Sequence, residues 1–230
     1  MKNSSYDDRQ KNQDIIDAVS RRMTTKSDID ASVLPRVVSC DQKYQCAIFT
    51  ILDKHLALQR TDGEEIIIDR NIVVHPHGAI ILLHDISDDE NGCTRDRYLV
   101  EREYRVGPGA YVFGLAAGLV EPNEQPLDAA FREAQEETGV VIDRSDQDAY
   151  SIDYCGDYYA SEGMTDECAS VFIIHAKKWV QGDVHFDPDE YIETAWVSWD
   201  ELTALPIHNA SSQLAVRYEE IRRLRNGLPA

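Results

Sequence analysis

A 23-residue pattern between Gly118 and Val140 constrains this chain more than any other feature of its sequence. It consists of a glycine, five residues, a glutamate, seven residues and the run Arg-Glu-Ala-Gln-Glu-Glu-Thr-Gly-Val. Apolar and small residues recur within it at i, i+3, i+4, i+7 and i+11, which predicts a helix over residues 126–138 with one face in a core. Gly139 is well placed as the left-handed residue that ends this helix.

The glutamates of the pattern are expected to lie together beside the buried face. Residues three and four apart are neighbours on a helix, so Glu133, Glu136 and Glu137 share one flank, and Glu124 can fold back onto them. Like charges so close destabilise a helix unless something positive compensates. Arg132 can hold one carboxylate, but such a set of oxygen ligands best suits Mg²⁺ or Mn²⁺. A solvated acidic helix face is the alternative for an arbitrary pair of glutamates.

The complete string matches the Nudix box at every defining position, with Ala134 in an aliphatic slot. The match has nine constrained positions, so the chain is identified by resemblance as a member of the Nudix hydrolase superfamily. The resemblance implies an α+β fold, a Nudix-type α/β/α sandwich with a mixed sheet, preceded by a small antiparallel β segment. It also implies hydrolysis of a diphosphate, which requires that charge on the phosphoryl groups be neutralised and that a water be positioned in line.

The same resemblance assigns roles within the box. Glu133 and Glu137 are the implied principal metal ligands, Glu136 is a further ligand or bridging catalytic group, and Ala117 is a ligand through its main-chain carbonyl. Arg132 is implied to orient the glutamates rather than to contact substrate. Gly118 is expected to let the backbone turn tightly next to the metal. The implied cofactor is Mg²⁺, with Mn²⁺ as the alternative and two or more ions in the site.

The sequences beside the box resemble the branch that hydrolyses ADP-ribose and nucleotide sugars. A predicted strand ends in Arg-Glu-Tyr-Arg at residues 102–105, and residues 116–121 lead into the box. The family often has proline at the position of Ala116 and glutamate at that of Gly114. Downstream, Glu162 stands where the family often has proline. ADP-ribose, cleaved to AMP and ribose 5-phosphate, is therefore the first expected substrate, while GDP-mannose, other nucleotide sugars and oxidised nucleotides stay open.

Candidate substrate contacts and a general base lie outside the box. Arg102 and Arg105, with Glu103 between them, are predicted to contact the diphosphate or ribose through bidentate hydrogen bonds; structural ion pairing is the alternative. This branch often supplies the base that activates water from a mobile loop. Glu190, in an acidic loop, is the first candidate and Glu167 the second, and for each the alternative is an ordinary surface glutamate.

The chain is expected to hold one main domain with extensions. Residues 1–34 form a polar arm, for which the sequence allows either a short helix or disorder. Residues 35–75, rich in Val, Ile, Phe and Thr, are predicted to form an antiparallel meander with turns at residues 53–55 and 61–63. By resemblance this segment pairs across a two-fold axis in a homodimer. Residues 76–206 are the expected Nudix domain, and residues 207–230 the expected C-terminal helix.

Composition restricts the partners. The net charge is −19, from 42 acidic and 23 basic residues, which argues against duplex nucleic acid as a partner. The five cysteines show no Cys-x-x-Cys spacing, so neither a disulfide framework nor a zinc site is indicated. No apolar stretch has the length of a signal peptide or membrane span, so we expect a cytoplasmic protein with no membrane partner. A Nudix-fold regulator that binds ADP-ribose without cleaving it would need a DNA-binding module, for which the residues after Pro206 are too few.

Overall fold

The computed structural model describes residues 6–23, 27–186 and 191–228. Residue contacts divide the chain into two compact units, Met1–Asp41 with Asp53–Arg70 and Gln42–Leu52 with Asn71–Ala230. The helices and strands, in chain order, are α1 (Tyr6–Ser20), β1 (Arg36–Gln45), β2 (Thr50–Gln59), β3 (Glu65–Val74), β4 (Gly78–Asp85), β5 (Arg97–Arg105), β6 (Ala110–Gly114), β7 (Ala116–Leu119), α2 (Pro126–Thr138), β8 (Val140–Val141), β9 (Tyr150–Tyr159), β10 (Cys168–Ala176), β11 (Val180–Gln181), β12 (Glu193–Val197), α3 (Trp199–Ala204) and α4 (Ala210–Arg225).

The second unit is built on a seven-stranded mixed sheet in the order β12-β5-β4-β10-β9, with β6 paired to β5 and β7 to β4. Strands β4 and β10 are parallel, whereas the other pairs are antiparallel. The parallel pair is the most deeply buried part of the sheet, which explains why both strands are nearly continuous apolar runs. The predicted mixed sheet is confirmed.

Helices cover both faces of this sheet. Successive side chains of a strand point to opposite faces, so Ile81 and Phe172 pack on the side of α2, while Leu82 and Ile173 join the core on the side of α3 and α4. Each face has its own buried cluster of aliphatic and aromatic side chains. The predicted α+β fold with a three-layer arrangement is therefore confirmed.

The N-terminal strands form the predicted antiparallel sheet, in the order β1-β2-β3, but one predicted turn was wrong. Residues 53–55 lie in the middle of β2, and the turn falls earlier, where Cys46 N–H donates to the Phe49 carbonyl. Polar residues are tolerated in a half-exposed strand because alternate side chains face solvent. His55 instead contacts Asp69 of β3, with 2.6 Å between Nδ1 and Oδ1.

The described part of the N-terminal arm contains a helix over Tyr6–Ser20. No helix in the described parts of the chain has both the length and the apolar character needed to cross a membrane.

Two histidines are buried on the α4 face of the main sheet. His84 of β4 and His175 of β10 are register partners and are 3% and 5% exposed, and their Nδ1 atoms lie 2.8 Å apart. Burial, reinforced by repulsion from His175, lowers the pKa of His84 to about 4, although Glu219 and Asp96 act in the opposite direction. Burial also lowers the pKa of His175, against the effect of Asp153. Both rings are therefore neutral near pH 7.

We expect the free energy of unfolding to fall as the pH is lowered from 7 towards 4. An unfolded histidine binds a proton below its ordinary pKa of about 6.5, whereas folded His84 stays neutral until about pH 4. The unfolded chain thus binds more protons across this window, which lowers stability by up to about 3 kcal/mol from His84 alone. Urea unfolding at pH 7 and pH 5 measures the effect. His84→Gln should reduce the difference between the two pH values, and an unchanged difference would contradict the assignment.

Candidate active site

The helix of the box has the bounds that the sequence predicted. Helix α2 begins at Pro126 and ends at Thr138, and Gly139 adopts the left-handed conformation with φ of 70°. The N–H of Gly139 donates to the Gln135 carbonyl at 2.8 Å, which closes the last turn. The predicted apolar stripe faces the core, with Ala130 and its neighbours buried. The acidic flank beside the stripe therefore lies against β7.

Two glutamates of α2 approach the backbone of β7. Glu137, which is 4% exposed, accepts a hydrogen bond from the Ala117 N–H, with Oε2 2.9 Å from the nitrogen. The carboxylate of Glu133 occupies the position that a Cβ at residue 118 would take. Gly118 lies in a strand and pairs with Ala79, so glycine is needed here for space and not, as the sequence suggested, for a tight turn.

Arg132 links the helix to the loop before it. Its Nη1 donates to Glu133 and Glu136 at 2.7 and 2.9 Å, and its Nε and Nη2 donate to Glu124 at 3.0 and 2.9 Å. Nη2 also donates to the Leu119 carbonyl at 2.9 Å. The Glu124 carboxylate, followed by Glu133 and Glu136, raises the pKa of Arg132, and Arg132 lowers the pKa of Glu124. Arg132 therefore holds three carboxylates and the preceding loop in one arrangement.

The chemistry of these donors fits a divalent cation. The carboxylates of Glu124, Glu133, Glu136 and Glu137, with the Arg132 guanidinium, carry three net negative charges in a partly buried site. Carboxylate oxygens are hard ligands that suit Mg²⁺ or Mn²⁺, and partly buried like charges favour a bound cation. The two most buried of these glutamates, Glu137 and Glu133, approach the adjacent residues Ala117 and Gly118 of β7. The main-chain carbonyl of Ala117 is a further potential ligand.

We expect Gly118→Ala to lower kcat/KM for diphosphate hydrolysis by about 100-fold or more. The new Cβ would displace the Glu133 carboxylate from β7, and a displaced candidate ligand would weaken metal binding. Gly78→Ala is the matched control. Gly78 lies on the neighbouring strand β4, where a Cβ would meet the Gly118 carbonyl at an ordinary 3.5 Å. Steady-state kinetics at saturating Mg²⁺ and the Mg²⁺ concentration for half-maximal rate measure both effects. Equal losses in the two variants would show that the space at residue 118 is not what matters.

The predicted substrate contacts are held in ion pairs. Arg102 pairs with Glu193 of β12 and lies 6.0 Å from the ring of Tyr111, while Arg105 pairs with Glu103 at 2.6 Å. The alternative expected for these residues, structural ion pairing, is therefore found for both arginines. Replacement of the glutamate partners by the oxygens of a diphosphate stays a prediction.

Of the two candidate general bases, only Glu167 lies within the described residues. Glu190 lies in the segment 187–190, outside the described residues. Just before that segment, the N–H of His185 donates to the Glu136 carbonyl at 2.8 Å, so the chain passes beside the last turns of α2. Glu167 precedes β10, two strands away from β7 in the sheet, or roughly 10 Å between strand axes. Both remain candidates.

Two cavities flank this region. The first, of about 470 Å³, adjoins the start of the box and is lined by Pro76, His77, Leu119, Val120, Glu121 and Pro122. The second, of about 290 Å³, adjoins α2 and is lined by Asp128, Phe131, Arg132, Gln135, Glu136, Val140, Ile142, Arg144 and His185. The first offers mainly apolar space beside Leu119, and the second offers arginines next to Glu136.

The sequence analysis missed one polar group, the buried cluster of His84, His175 and Glu219. These residues are far apart in the chain and match no ligand motif. The available signal was that two apolar strand runs, Ile-Ile-Leu-Leu and Val-Phe-Ile-Ile, each end in histidine.

Comparison with known proteins identifies the class. The family model of the NUDIX domain matches residues 80–218, so the chain belongs to the NUDIX family, and the predicted class of enzyme, a Nudix hydrolase, is confirmed. An ADP-ribose pyrophosphatase of Bacillus subtilis (strain 168) is 25% identical over 157 residues, covering 66% of this chain and 77% of that protein. A methanol dehydrogenase activator of Bacillus methanolicus is 22% identical over 157 residues, with the same coverage of both chains.

Solved structures agree on the fold. A crystal structure of an ADP compounds hydrolase superposes with a TM-score of 0.62 at 18% identity, covering 84% of this chain and 96% of that chain. The likeness extends well beyond the box, over most of the length of both chains. The predicted Nudix fold and the relation to ADP-ribose pyrophosphatases are thus confirmed.

Proposed function

We propose that this protein is a Mg²⁺-dependent hydrolase of the diphosphate bond in a nucleoside diphosphate sugar, with ADP-ribose as its first substrate. The observation that carries the proposal is the convergence of Glu133 and Glu137 on the backbone of Ala117 and Gly118 within an intact box. The relation to a Bacillus subtilis ADP-ribose pyrophosphatase supports the substrate class. The products from ADP-ribose are AMP and ribose 5-phosphate.

The protein's own groups have distinct tasks in this reaction. Glu133 and Glu137 would hold the cations, with Glu136 and the Ala117 carbonyl as further ligands, and Arg132 keeps the glutamates in position. Bound divalent cations supply neutralisation of the negative charge on the phosphoryl groups. Hydrolysis adds one water across the bond: a new phosphorus–oxygen bond forms, the bond to the bridging oxygen breaks, and the base accepts the water proton.

The base is proposed to be Glu190, and Glu167 is the alternative. The N–H of His185, two residues before the segment 187–190, donates to the Glu136 carbonyl, and this contact with α2 supports Glu190 as the base. Arg102 and Arg105 are proposed to bind the diphosphate or ribose by exchanging their present carboxylate partners for substrate oxygens.

A second substrate, GDP-mannose or another nucleotide sugar, is kept open by Glu162, which replaces a proline common in the ADP-ribose branch. A panel of ADP-ribose, ADP-glucose, GDP-mannose, NADH, diadenosine polyphosphates and nucleoside triphosphates, each with Mg²⁺ or Mn²⁺, separates these cases. We expect the highest kcat/KM for release of nucleoside monophosphate from ADP-ribose, loss of rate with chelator and recovery with Mg²⁺. Highest activity on GDP-mannose would select the second substrate, and highest activity on triphosphates would overturn both.

We also propose a homodimer formed through the N-terminal sheet. Strand β1 is exposed along its whole length and lies at the edge of its sheet, and Val37, Val38 and Ile67 are each about half exposed. Exposed apolar residues on an edge strand favour association. Sedimentation equilibrium should give twice the chain mass of 26.1 kDa, and Val38→Glu should shift the protein towards the monomer. A wild-type protein that is monomeric and active at micromolar concentration would contradict this.

A further inference from the structure

A second group of metal-binding side chains lies on the sheet face opposite α2. It consists of His84 of β4, His175 of β10 and Glu219 of α4, and we call it the His–Glu cluster. One potential ligand atom from each residue lies within 4.8 Å of the others, and all three residues are at most 5% exposed. The cluster lies on β4, β10 and α4, so it is separate in the fold from the glutamates on α2.

The outer nitrogens of both rings are held by carboxylates. The Nε2 atom of His84 lies 2.9 Å from Asp96, and that of His175 lies 3.2 Å from Asp153. An imidazole whose Nε2–H donates to a carboxylate presents its Nδ1 lone pair on the other side. Both Nδ1 atoms point at each other across 2.8 Å. This is the arrangement in which a carboxylate orients a histidine towards a metal ion.

Two neutral imidazole rings have too few N–H groups to supply a hydrogen to each of the contacts that His84 and His175 make. Two neutral imidazoles carry two N–H groups, yet His84 and His175 make three contacts between nitrogen and a partner. If both Nε2–H groups face carboxylates, the contact between the Nδ1 atoms needs a cation. A third proton would be shared by the two nitrogens alone, whereas a metal ion would also be bound by the Glu219 carboxylate, which lies within 4.8 Å of them. Neutral, converging histidines are also the form that a metal ion requires.

The surrounding charges allow a further cation. The carboxylates that face the two rings are Asp96 of β5, Asp153 of β9 and Glu219 of α4, and the facing guanidiniums are Arg222 and Arg223 of α4. These five groups carry one net negative charge. Tyr98 of β5 and Cys155 of β9 also lie nearby, and burial raises the pKa of both, so both are neutral.

We propose that His84, His175 and Glu219 bind one divalent transition-metal ion of the zinc class, at a site distinct from the box. Two imidazoles and one carboxylate suit Zn²⁺ or Co²⁺, whereas Mg²⁺ prefers oxygen ligands throughout. The ligands come from three elements, so the ion would cross-link β4, β10 and α4. It would stabilise the fold, because an ion that binds the folded state alone shifts the equilibrium towards it.

Binding requires two small rearrangements. Nitrogens bound at about 2.0–2.1 Å with tetrahedral angles lie roughly 3.3 Å apart, so the rings move apart by about half an ångström and no proton remains between them. Glu219 Oε1 accepts from Tyr98 at 2.5 Å and from Arg222 Nη2 at 2.6 Å, so Arg222 releases this oxygen. The Arg222 side chain is 27% exposed and still reaches Oε2 through Nε at 2.6 Å.

The test uses full-length protein freed of metal by chelation, kept in excess Mg²⁺ to saturate the box and titrated with Co²⁺. We expect one equivalent of Co²⁺ to bind with the visible absorption of a tetrahedral site, and Zn²⁺ to displace it. The variant Glu133→Gln/Glu137→Gln should keep this absorption, because the box does not contribute to it. No Co²⁺ absorption in the wild-type protein, or its loss in the box variant, would overturn the proposal.

Two exposed aspartates of β9 provide a matched pair of variants that spares the core. Asp153→Asn weakens the carboxylate that orients His175 and should lower Co²⁺ affinity about 10- to 100-fold. Asp157→Asn is the control, since Asp157 accepts from Ser170 and not from either histidine, and it should leave the affinity unchanged. Equal affinities in the two variants would count against the site.

Nitrogen NMR of the histidines gives a readout that needs no variant. Among the seven histidines, the Nδ1 signals of two should shift on addition of one equivalent of Zn²⁺. A signal from a proton shared between two Nδ1 atoms, unchanged by Zn²⁺, would show instead that the pair holds only a proton and would overturn the proposal.

Discussion

Glu137→Gln is expected to lower kcat/KM for ADP-ribose by about 10³- to 10⁴-fold, the effect of losing several kcal/mol of charge stabilisation from a bound cation. Glu137 is the most buried carboxylate of the box, and its Oε2 accepts from the Ala117 N–H. The amide oxygen of glutamine can still accept that hydrogen bond, so the packing of α2 on β7 is retained while the negative charge is lost. The Mg²⁺ concentration for half-maximal rate should rise in parallel.

Steady-state kinetics over a range of Mg²⁺ concentrations, with thermal unfolding as a check on the fold, measure this effect. Glu220→Gln is the control, because Glu220 is a carboxylate on α4 that pairs with Arg217 and does not face the box. It should keep kcat/KM within about threefold. If Glu137→Gln retained a tenth of the wild-type activity or more, Glu137 would not be a principal metal ligand.

Glu190→Gln should lower kcat by about 10²- to 10⁴-fold with little change in the Mg²⁺ requirement, because a general base acts on the water proton and does not hold the cations. This separates it from Glu137→Gln, which changes both. The pH profile adds a second readout, since removal of the base should abolish the acidic limb of the rate.

Two further variants make the assignment of the base specific. Asp189→Asn alters the neighbouring acidic residue of the same segment and should leave kcat nearly unchanged. Glu167→Gln tests the rival candidate beside β10. A larger loss in Glu167→Gln than in Glu190→Gln would transfer the role to Glu167, and full activity in both would show that neither residue is the base.

Local sequence patterns were sufficient wherever neighbouring residues decide the structure. Helix α2 has its predicted bounds because a helical repeat, an N-terminal proline and a C-terminal glycine act within one short segment. Strand β5 ends at Arg105, as the predicted strand with the Arg-Glu-Tyr-Arg sequence does. The spacing of the glutamates alone predicts that they share one flank of this helix.

Sequence patterns gave wrong predictions where residues distant in the chain determine the local structure. Residues 53–55 have the composition of a turn, but pairing with the neighbouring strands keeps β2 extended through them. Gly118 was expected to permit a turn, whereas the close approach of Glu133 from α2 is what excludes a side chain there.

The sequence by itself determined the family, the box helix and the chemical class of its candidate metal ligands, because these depend on residue type and short spacing. Only the tertiary structure brought Glu137 against Ala117 and placed Arg132 among three carboxylates. The His–Glu cluster also depends on the tertiary structure alone. Its members are brought together by the pairing of β4 with β10 and the packing of α4, contacts that no local pattern in the chain encodes.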